Sequence, residues 1–159
     1  KNIKIKDFLE IGFSAGINNS IFNKFFNFNK NVVIDVVQPV GISFNTFYAN
    51  LRFKNLTLLC GDSKNKKIIK QAQILGNYDL IFIDGGHDYK TVRSDFEVYS
   101  KLLAKNGVIV LHDIKSNVVK DVPKFWKELK NKSKSKFKFK EIFKKGFKME
   151  CGLGLVFFE

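Results

Sequence analysis

Tyr78-Asp79-Leu80-Ile81-Phe82-Ile83-Asp84-Gly85-Gly86-His87-Asp88-Tyr89 is the stretch on which the reading of this chain turns. From Leu80 to Ile83 no polar residue interrupts the run. A strand apolar on both faces is buried on both faces, and that is the mark of a parallel sheet. Asp84 stands where this strand ends. Gly85-Gly86 lets the chain fold back, so that His87 can face the same cleft. A carboxylate and an imidazole at that spacing can serve as metal ligand and general base. A plainer alternative is that His87 caps or hydrogen-bonds the helix that follows.

Working outward, similar runs recur at Phe8–Gly12, Asn31–Val37, Leu56–Cys60 and Gly107–His112. Helix patterns lie between and after them, over Asn18–Phe28, Gly41–Leu51, Asn65–Leu75, Thr91–Leu103 and Val118–Leu129. In the helix over 91–103, Val92, Phe96, Tyr99 and Leu103 share one face, with Asp95 and Glu97 turned away from it. Asn106-Gly107 then reads as the end of that helix and a turn. In the last helix Val118, Val122, Phe125, Trp126 and Leu129 form one stripe. Lys130–Lys136 reads as a polar loop. The period then changes. Lys136-Phe137-Lys138-Phe139-Lys140 alternates, and Leu153–Phe158 is a final apolar strand, so these two are expected to pair as an antiparallel hairpin. The expected fold is α/β, a doubly wound, mostly parallel sheet of seven strands closed by that hairpin.

The 159 residues, 45% of them hydrophobic, suit one globular domain over 1–159. No apolar run is long enough to span a bilayer, and no secretory signal pattern opens the chain. It opens on Lys1 with a strand pattern close behind, which reads as a domain lacking an N-terminal segment. Cys60 and Cys151 have no metal or redox spacing. They read as buried apolar fillers in a reducing, cytoplasmic protein.

The net charge of +13 invites a nucleic-acid reading. It is weakened because only Arg52 and Arg93 are arginines, and because Lys is abundant together with Asn, Ile and Phe, as in AT-rich coding sequence. The charge is also uneven. Residues 115–148 hold thirteen lysines against Asp121, Glu128 and Glu141. A solvated basic face explains this, and so does a surface that attracts an anionic substrate.

Further chemistry is expected at the other strand ends, since ligands of parallel α/β sheets sit at the carboxyl ends of the strands. Glu10-Ile11-Gly12-Phe13-Ser14-Ala15-Gly16 joins the first strand to the first helix. Its glycines let the backbone turn tightly beside a ligand, and the helix N-terminus can bind a carboxylate. Glu10 suits an ammonium better than a pyrophosphate. A structural turn would need the same residues. Asp35, at the end of the second strand, can accept both hydroxyls of a ribose, or cap a helix. After the third strand, Asp62 can accept from an adenine amino group and Ser63 can cap the next helix. His112-Asp113 closes the fifth strand. With Asp84 on the adjacent strand it makes a divalent-cation site plausible in oxygen-preferring chemistry, with Mg²⁺, Ca²⁺ or Mn²⁺, and the histidine leans towards Mn²⁺ or a transition metal.

Taken in order, Glu10-x-Gly12-x-x-x-Gly16, Asp35, Gly61-Asp62-Ser63, Ile83-Asp84-Gly85-Gly86-His87-x-Tyr89 and Val110-Leu111-His112-Asp113 resemble the class I S-adenosylmethionine (SAM)-dependent methyltransferases. The Asp-Gly-x-His-x-Tyr segment and the closing His-Asp pair resemble the branch of bacterial small-molecule and sugar O-methyltransferases and the cephalosporin-hydroxylase-like group. The resemblance implies a Rossmann-like fold. It implies that Glu10, Gly12, Ser14 and Gly16 hold the methionine part of SAM, Asp35 the ribose, and Asp62 with Ser63 the adenine. It implies that Asp84, His112 and Asp113 stand at metal-ligand positions for Mg²⁺ or Mn²⁺, and that His87 is a general base. Ser14 replaces the middle glycine of the commoner loop, and His112 stands where an acid would strengthen a metal site.

The expected activity is methyl transfer from SAM to a hydroxyl of a small molecule, sugar or glycan, an anionic acceptor among them. The alternative is a catalytically silent methyltransferase-like module that contacts nucleic acid or protein through the basic 115–148 region. A nicotinamide-dependent oxidoreductase is disfavoured by the Gly-x-x-x-Gly spacing. Amino methylation is disfavoured because Asp84-Gly85-Gly86-His87 stands where an Asn-Pro-Pro-Tyr-like motif would be.

Overall fold

A computed structural model describes the chain except residues 1–3, 37–54, 134, 145, 147–149 and 159. Seven strands form one sheet: β1 (Asp7–Ile11), β2 (Lys30–Asp35), β3 (Leu56–Cys60), β4 (Tyr78–Ile83), β5 (Leu103–Leu111), β6 (Phe137–Ile142) and β7 (Leu153–Phe158). Their order is β3-β2-β1-β4-β5-β7-β6. The first five are mutually parallel, and β7 runs antiparallel between β5 and β6. The doubly wound sheet and its closing hairpin are therefore as the sequence pattern led one to expect. Among the described residues, no helix is long and apolar enough to cross a membrane.

Alternation along the strands divides the core in two. Leu9, Ile11, Ile81, Ile83, Ile109 and Leu111 face one side. There they meet α2 (Lys66–Ile74), α3 (Tyr89–Tyr99) and α4 (Asp121–Lys132). Phe8, Leu80, Phe82, Val108 and Val110 face the other. That side is packed by Phe22 of α1 (Ile17–Phe25) and by Phe26 and Phe28 just beyond it. Phe8 stacks on Phe28 at 4.8 Å, and Phe22 meets Phe82 edge-on at 5.2 Å. Such ring pairs contribute beyond their buried area.

Several boundaries differ from the sequence pattern for identifiable reasons. The helix expected over 41–51 and the end of the second strand at Val37 lie outside the described residues. The first helix stops at Phe25, so Phe28 enters the core as extended chain. The helix expected from Val118 starts at Asp121, and Val118 is exposed. Pro123 then falls in the first turn, where its missing N–H lacks an intrahelical acceptor anyway; a start at Val118 would have put it deeper. The backbone N–H groups of Val118 and Val119 donate instead to Ser116 Oγ. The same helix runs on to Lys132, into the stretch expected to be loop.

The pair Asn106-Gly107 does not end a helix. It lies inside β5, with Asn106 at φ 66°, where the register against β4 shifts. The preceding helix had already ended at Tyr99 and tightened into a 3₁₀ turn over Ser100–Leu102. Asp95 does not point away from the core: it is 1% exposed. Both cysteines are exposed rather than buried. Cys60 ends β3, the strand at one edge of the sheet, and Cys151 sits on the loop before β7.

Candidate functional site

The parallel strands bring their carboxyl ends to one edge, and the loops leaving β1, β3 and β4, with the end of β2, border a cavity of about 600 Å³. Its wall includes Gly12, Ser14, Asp35, Asp62, Ser63, Asp84 and His87. Residues from Gly12 to His87, far apart in sequence, thus share one concave surface.

The loop after β1 is built around Gly12. At φ 90° it sits where side chains are strained, and a Cβ there would lie 2.0 Å from the Asp84 carbonyl oxygen. The close approach is useful. Gly12 N donates to Ile34 O and Asp84 N to Ile11 O, so the loop stays tied to both neighbouring strands. Ser14 takes φ 47°, which explains why glycine is commoner at this place. Among the described residues, the Asp35 side chain serves the loop after β1. Its Oδ2 accepts from Phe13 N at 2.7 Å and Ser14 N at 2.8 Å. One carboxylate oxygen therefore shapes the loop while the side chain borders the cavity.

Glu10 does not line that cavity. Strand alternation turns it to the α1 side, where it is fully buried. Asn19 Nδ2 donates to Glu10 Oε2 at 2.7 Å, and Asn19 also exchanges hydrogen bonds with Asn31. Glu10 Oε1 has no partner among the described residues. Burial pushes its pKa up to about 8, against the opposing pull of the Asn19 hydrogen bond, and Asp84 and Asp35 push the same way as burial. Gly16 is likewise outside the cavity wall; it is the left-handed N-cap of α1, set against the Phe13 ring.

On the opposite wall, Asp62 Oδ1 accepts from Lys64 N, and the Lys64 ammonium lies 3.8 Å from Asp62 Oδ2 and donates to Thr91 Oγ1. Ser63 does not cap the following helix. Asn65 does, accepting from Lys67 N. That leaves the Ser63 side chain available to the cavity. Similarly Asp88, not His87, caps α3 by accepting from Thr91 N.

His87 is consequently free for the cleft, where its Nε2 lies 3.3 Å from Asp113 Oδ2 and 3.8 Å from Asp84 Oδ1. Ligand atoms of Asp84, His87 and Asp113 all fall within 4.8 Å of one another, close enough to share a metal ion. That trio contains His87 in place of the His112 expected from sequence. His112 approaches from beneath: its Nδ1 lies 3.3 Å from both Asp84 Oδ1 and Asp113 Oδ1, at angles short of a hydrogen bond. Its pKa is raised to about 10, first by Asp113 and then by Asp84. Asp113 is lowered in return, chiefly by His112. Asp113 also holds φ 61°, a conformation an Asp tolerates only at some cost and one common at functional sites. Two carboxylates and an imidazole on a cleft wall fit a hard or borderline divalent cation.

Sequence reasoning missed Asn18, Lys64 and Thr91. Asn18 Nδ2 donates to Asp84 Oδ2 at 2.9 Å, linking the start of α1 to the acidic cluster. Its position two residues after Gly16, in the first turn of a helix at the sheet's carboxyl edge, was the available signal.

A doubly wound sheet with a glycine-hinged first loop, acids after β2 and β3, and a carboxylate–imidazole cluster after β4 and β5 makes an α/β domain with a cleft at the carboxyl edge of its sheet. The family model for a methyltransferase domain matches residues 9–114, and the chain belongs to that family. An uncharacterized protein of Acanthamoeba polyphaga mimivirus is 34% identical over 77 residues, which are 48% of this chain and 35% of that protein. The chain therefore spans about a third of that relative's length. Among solved structures, the O-methyltransferase TomG of Streptomyces achromogenes, in complex with SAM, matches with TM-score 0.75 at 16% identity, over 98% of this chain and 74% of that one. An O-methyltransferase of Bacillus cereus matches at TM-score 0.72 and 19% identity, over 97% and 74%. An rRNA methylase of Streptococcus thermophilus matches at 0.74 and 10%, over 98% and 89%. These likenesses are of fold, and they span oxygen and RNA methylation alike.

Proposed function

We propose that the chain transfers a methyl group from SAM to a hydroxyl of a small molecule or glycan. The observation that carries this is the convergence of Asp84, His87 and Asp113 beside a cavity bordered by Gly12, Asp35 and Asp62. Asp35 would take the ribose hydroxyls and Asp62 with Ser63 the adenine. The loop of Gly12, Ser14 and Gly16 would take the methionine part. Glu10 would act from below, holding Asn19 and with it the start of α1, so that Asn18 stays on Asp84.

The sulfonium already activates the methyl. What the protein must add is alignment, for which well-oriented systems gain up to about 7–11 kcal/mol, and a nucleophilic acceptor oxygen. His87, half exposed at the mouth of the cluster, removes the hydroxyl proton. A divalent ion held by Asp84 and Asp113 would supply Lewis acidity that makes the hydroxyl easier to ionise, with His87 left off the ion to take the proton. Calorimetry with SAM and S-adenosylhomocysteine, with and without Mg²⁺ or Mn²⁺, tests the cofactor. Micromolar binding is the expected result, and no heat with either ligand would refute the reading. Turnover in EDTA tests the ion: loss restored by Mg²⁺ or Mn²⁺ is expected, and full activity in chelator removes metal from the reaction.

A second reading is favoured by one feature. Lys120 just before α4, Lys124 and Lys127 on it, and Lys138 and Lys140 on β6 are exposed, on a chain of net charge +13. An RNA acceptor, or a silent module that docks on RNA, would use them. Affinity for a structured RNA that falls steeply between low and physiological salt would favour it.

A further inference from the structure

Asp95 is the buried group the site above leaves unused. It lies on α3, 1% exposed, and among the described residues neither carboxyl oxygen has a hydrogen-bond partner. An unpartnered buried carboxyl costs free energy, so its presence calls for a physical reason. It sits one layer behind the cavity wall. A Cβ on Gly85, which lines the cavity, would lie 3.5 Å from Asp95 Oδ2. Its other neighbour at that wall is Ser63, whose hydroxyl interacts with the carboxyl without reaching hydrogen-bond geometry. Ser63 is 8% exposed and lines the same cavity. Its backbone is fixed from behind, because the Tyr99 hydroxyl donates to Ser63 O at 2.7 Å. The Ser63 hydroxyl can still rotate.

A hydroxyl has a single proton to give. When Asp95 is ionised, that proton turns to the carboxylate, and Ser63 presents lone pairs to the cavity. When Asp95 is protonated, the acid donates to Ser63 Oγ, and the Ser63 proton turns outward. We propose that Asp95 is a positioning residue that sets the hydrogen-bond polarity of Ser63, so that its ionised form makes the cavity prefer a purine edge that donates (a 6-amino group) over one that accepts (a 6-oxo group). This rests on the reading of the cavity as an adenosyl site. The charged groups facing Asp95 are Lys64, which favours ionisation, and Asp62 and Asp88, which oppose it. Burial outweighs them and pushes the carboxyl up to about 6. The two states therefore fall within a workable pH range.

The test is calorimetric binding of S-adenosylhomocysteine and its 6-oxo analogue, S-inosylhomocysteine, at pH 5.5 and pH 8. It is run on the intact chain, on Asp95→Asn and on Ser63→Ala, with thermal unfolding alongside. In the unsubstituted chain the preference for the amino ligand should rise about fivefold between the two pH values, the scale of one neutral hydrogen bond. In both variants the ratio should be flat with pH. If Asp95→Asn does not fold, the unsubstituted chain and Ser63→Ala still decide the matter. Binding of S-adenosylhomocysteine with a pH-independent ratio in the unsubstituted chain overturns this inference alone. No binding of S-adenosylhomocysteine at either pH overturns the adenosyl reading, and the inference falls with it.

Discussion

The parallel and antiparallel halves of the sheet treat their carboxylates in opposite ways. In the parallel half, Glu10 is sealed under α1 with one amide donor, and burial raises its pKa to about 8. In the antiparallel half, Glu141 on β6 accepts from Lys130 and from Trp126 Nε1, with Lys115 at 3.1 Å, and its pKa falls to about 2, chiefly through Lys130. Among the described residues, every buried side-chain polar atom without a partner belongs to Glu10, Asp95 or His112. All three lie on or beside the parallel strands that end at the cavity. Glu141 in the hairpin is satisfied, whereas three groups buried behind or beside the cavity wall are left short of partners. Polar groups left unpaired in the fold are those a ligand, ion or proton can complete.

The largest test of this contrast is His87→Ala. It should lower turnover by about 10²–10⁴-fold while S-adenosylhomocysteine affinity stays within about twofold, because the cofactor groups are untouched. Glu141→Gln, in the satisfied half, should leave turnover unchanged. Steady-state methyl transfer beside calorimetry reads both, and equal turnover in His87→Ala would remove the base from the mechanism.

Next in size is Gly12→Ala. The added Cβ meets the Asp84 carbonyl at 2.0 Å, so destabilisation of about 3 kcal/mol or more is expected. Urea unfolding measures it. A variant as stable as the parent would mean that the loop is not held against β4 in solution.

Glu10→Gln comes third and works through pH. In the folded chain Glu10 keeps its proton up to about pH 8. The unfolded chain releases it near the ordinary carboxylate value. The folded state thus binds more protons between these limits, and stability falls as pH rises from about 4.5 to 8. The loss is a few kcal/mol in order of magnitude. Glu10→Gln should flatten that slope, and parallel stability–pH curves would show Glu10 to be solvated.

The smallest effect is expected for Glu141→Gln, with the opposite sign. A depressed folded pKa contributes stability above the unfolded value, and this is lost as pH falls through about 2. Glu141 is partly exposed, so solvent screening reduces the effect to about 1–2 kcal/mol at neutral pH. The gap between variant and parent should close in acid. A gap that persists at pH 2 would assign the loss to Trp126 packing instead.

Much of this was legible beforehand. The strand over Leu56–Cys60 and that over Leu153–Phe158 fall at their expected residues, because continuous or alternating apolar runs leave few other ways to bury surface. Asp84 and His87 stood out because an acid, two glycines and a histidine directly follow a buried strand. Asp95 was misjudged because helical periodicity weighs a carboxylate as surface, and nothing local reveals that Gly85 and Ser63 close over it. The capping roles of Asn65 and Asp88 were hidden by Ser63 and His87, neighbours that were equally good candidates on composition.

By itself, the sequence determined the fold class, the hairpin and which strand ends carry acids, because burial periodicity and glycine placement are local properties. Only the tertiary structure decided that Glu10 faces away from the cavity, and that His87 rather than His112 completes a trio with Asp84 and Asp113. It alone buried Asp95 behind the wall. Those outcomes depend on strand register and on which face of each element meets a neighbour, and both are fixed by contacts between residues far apart in the chain.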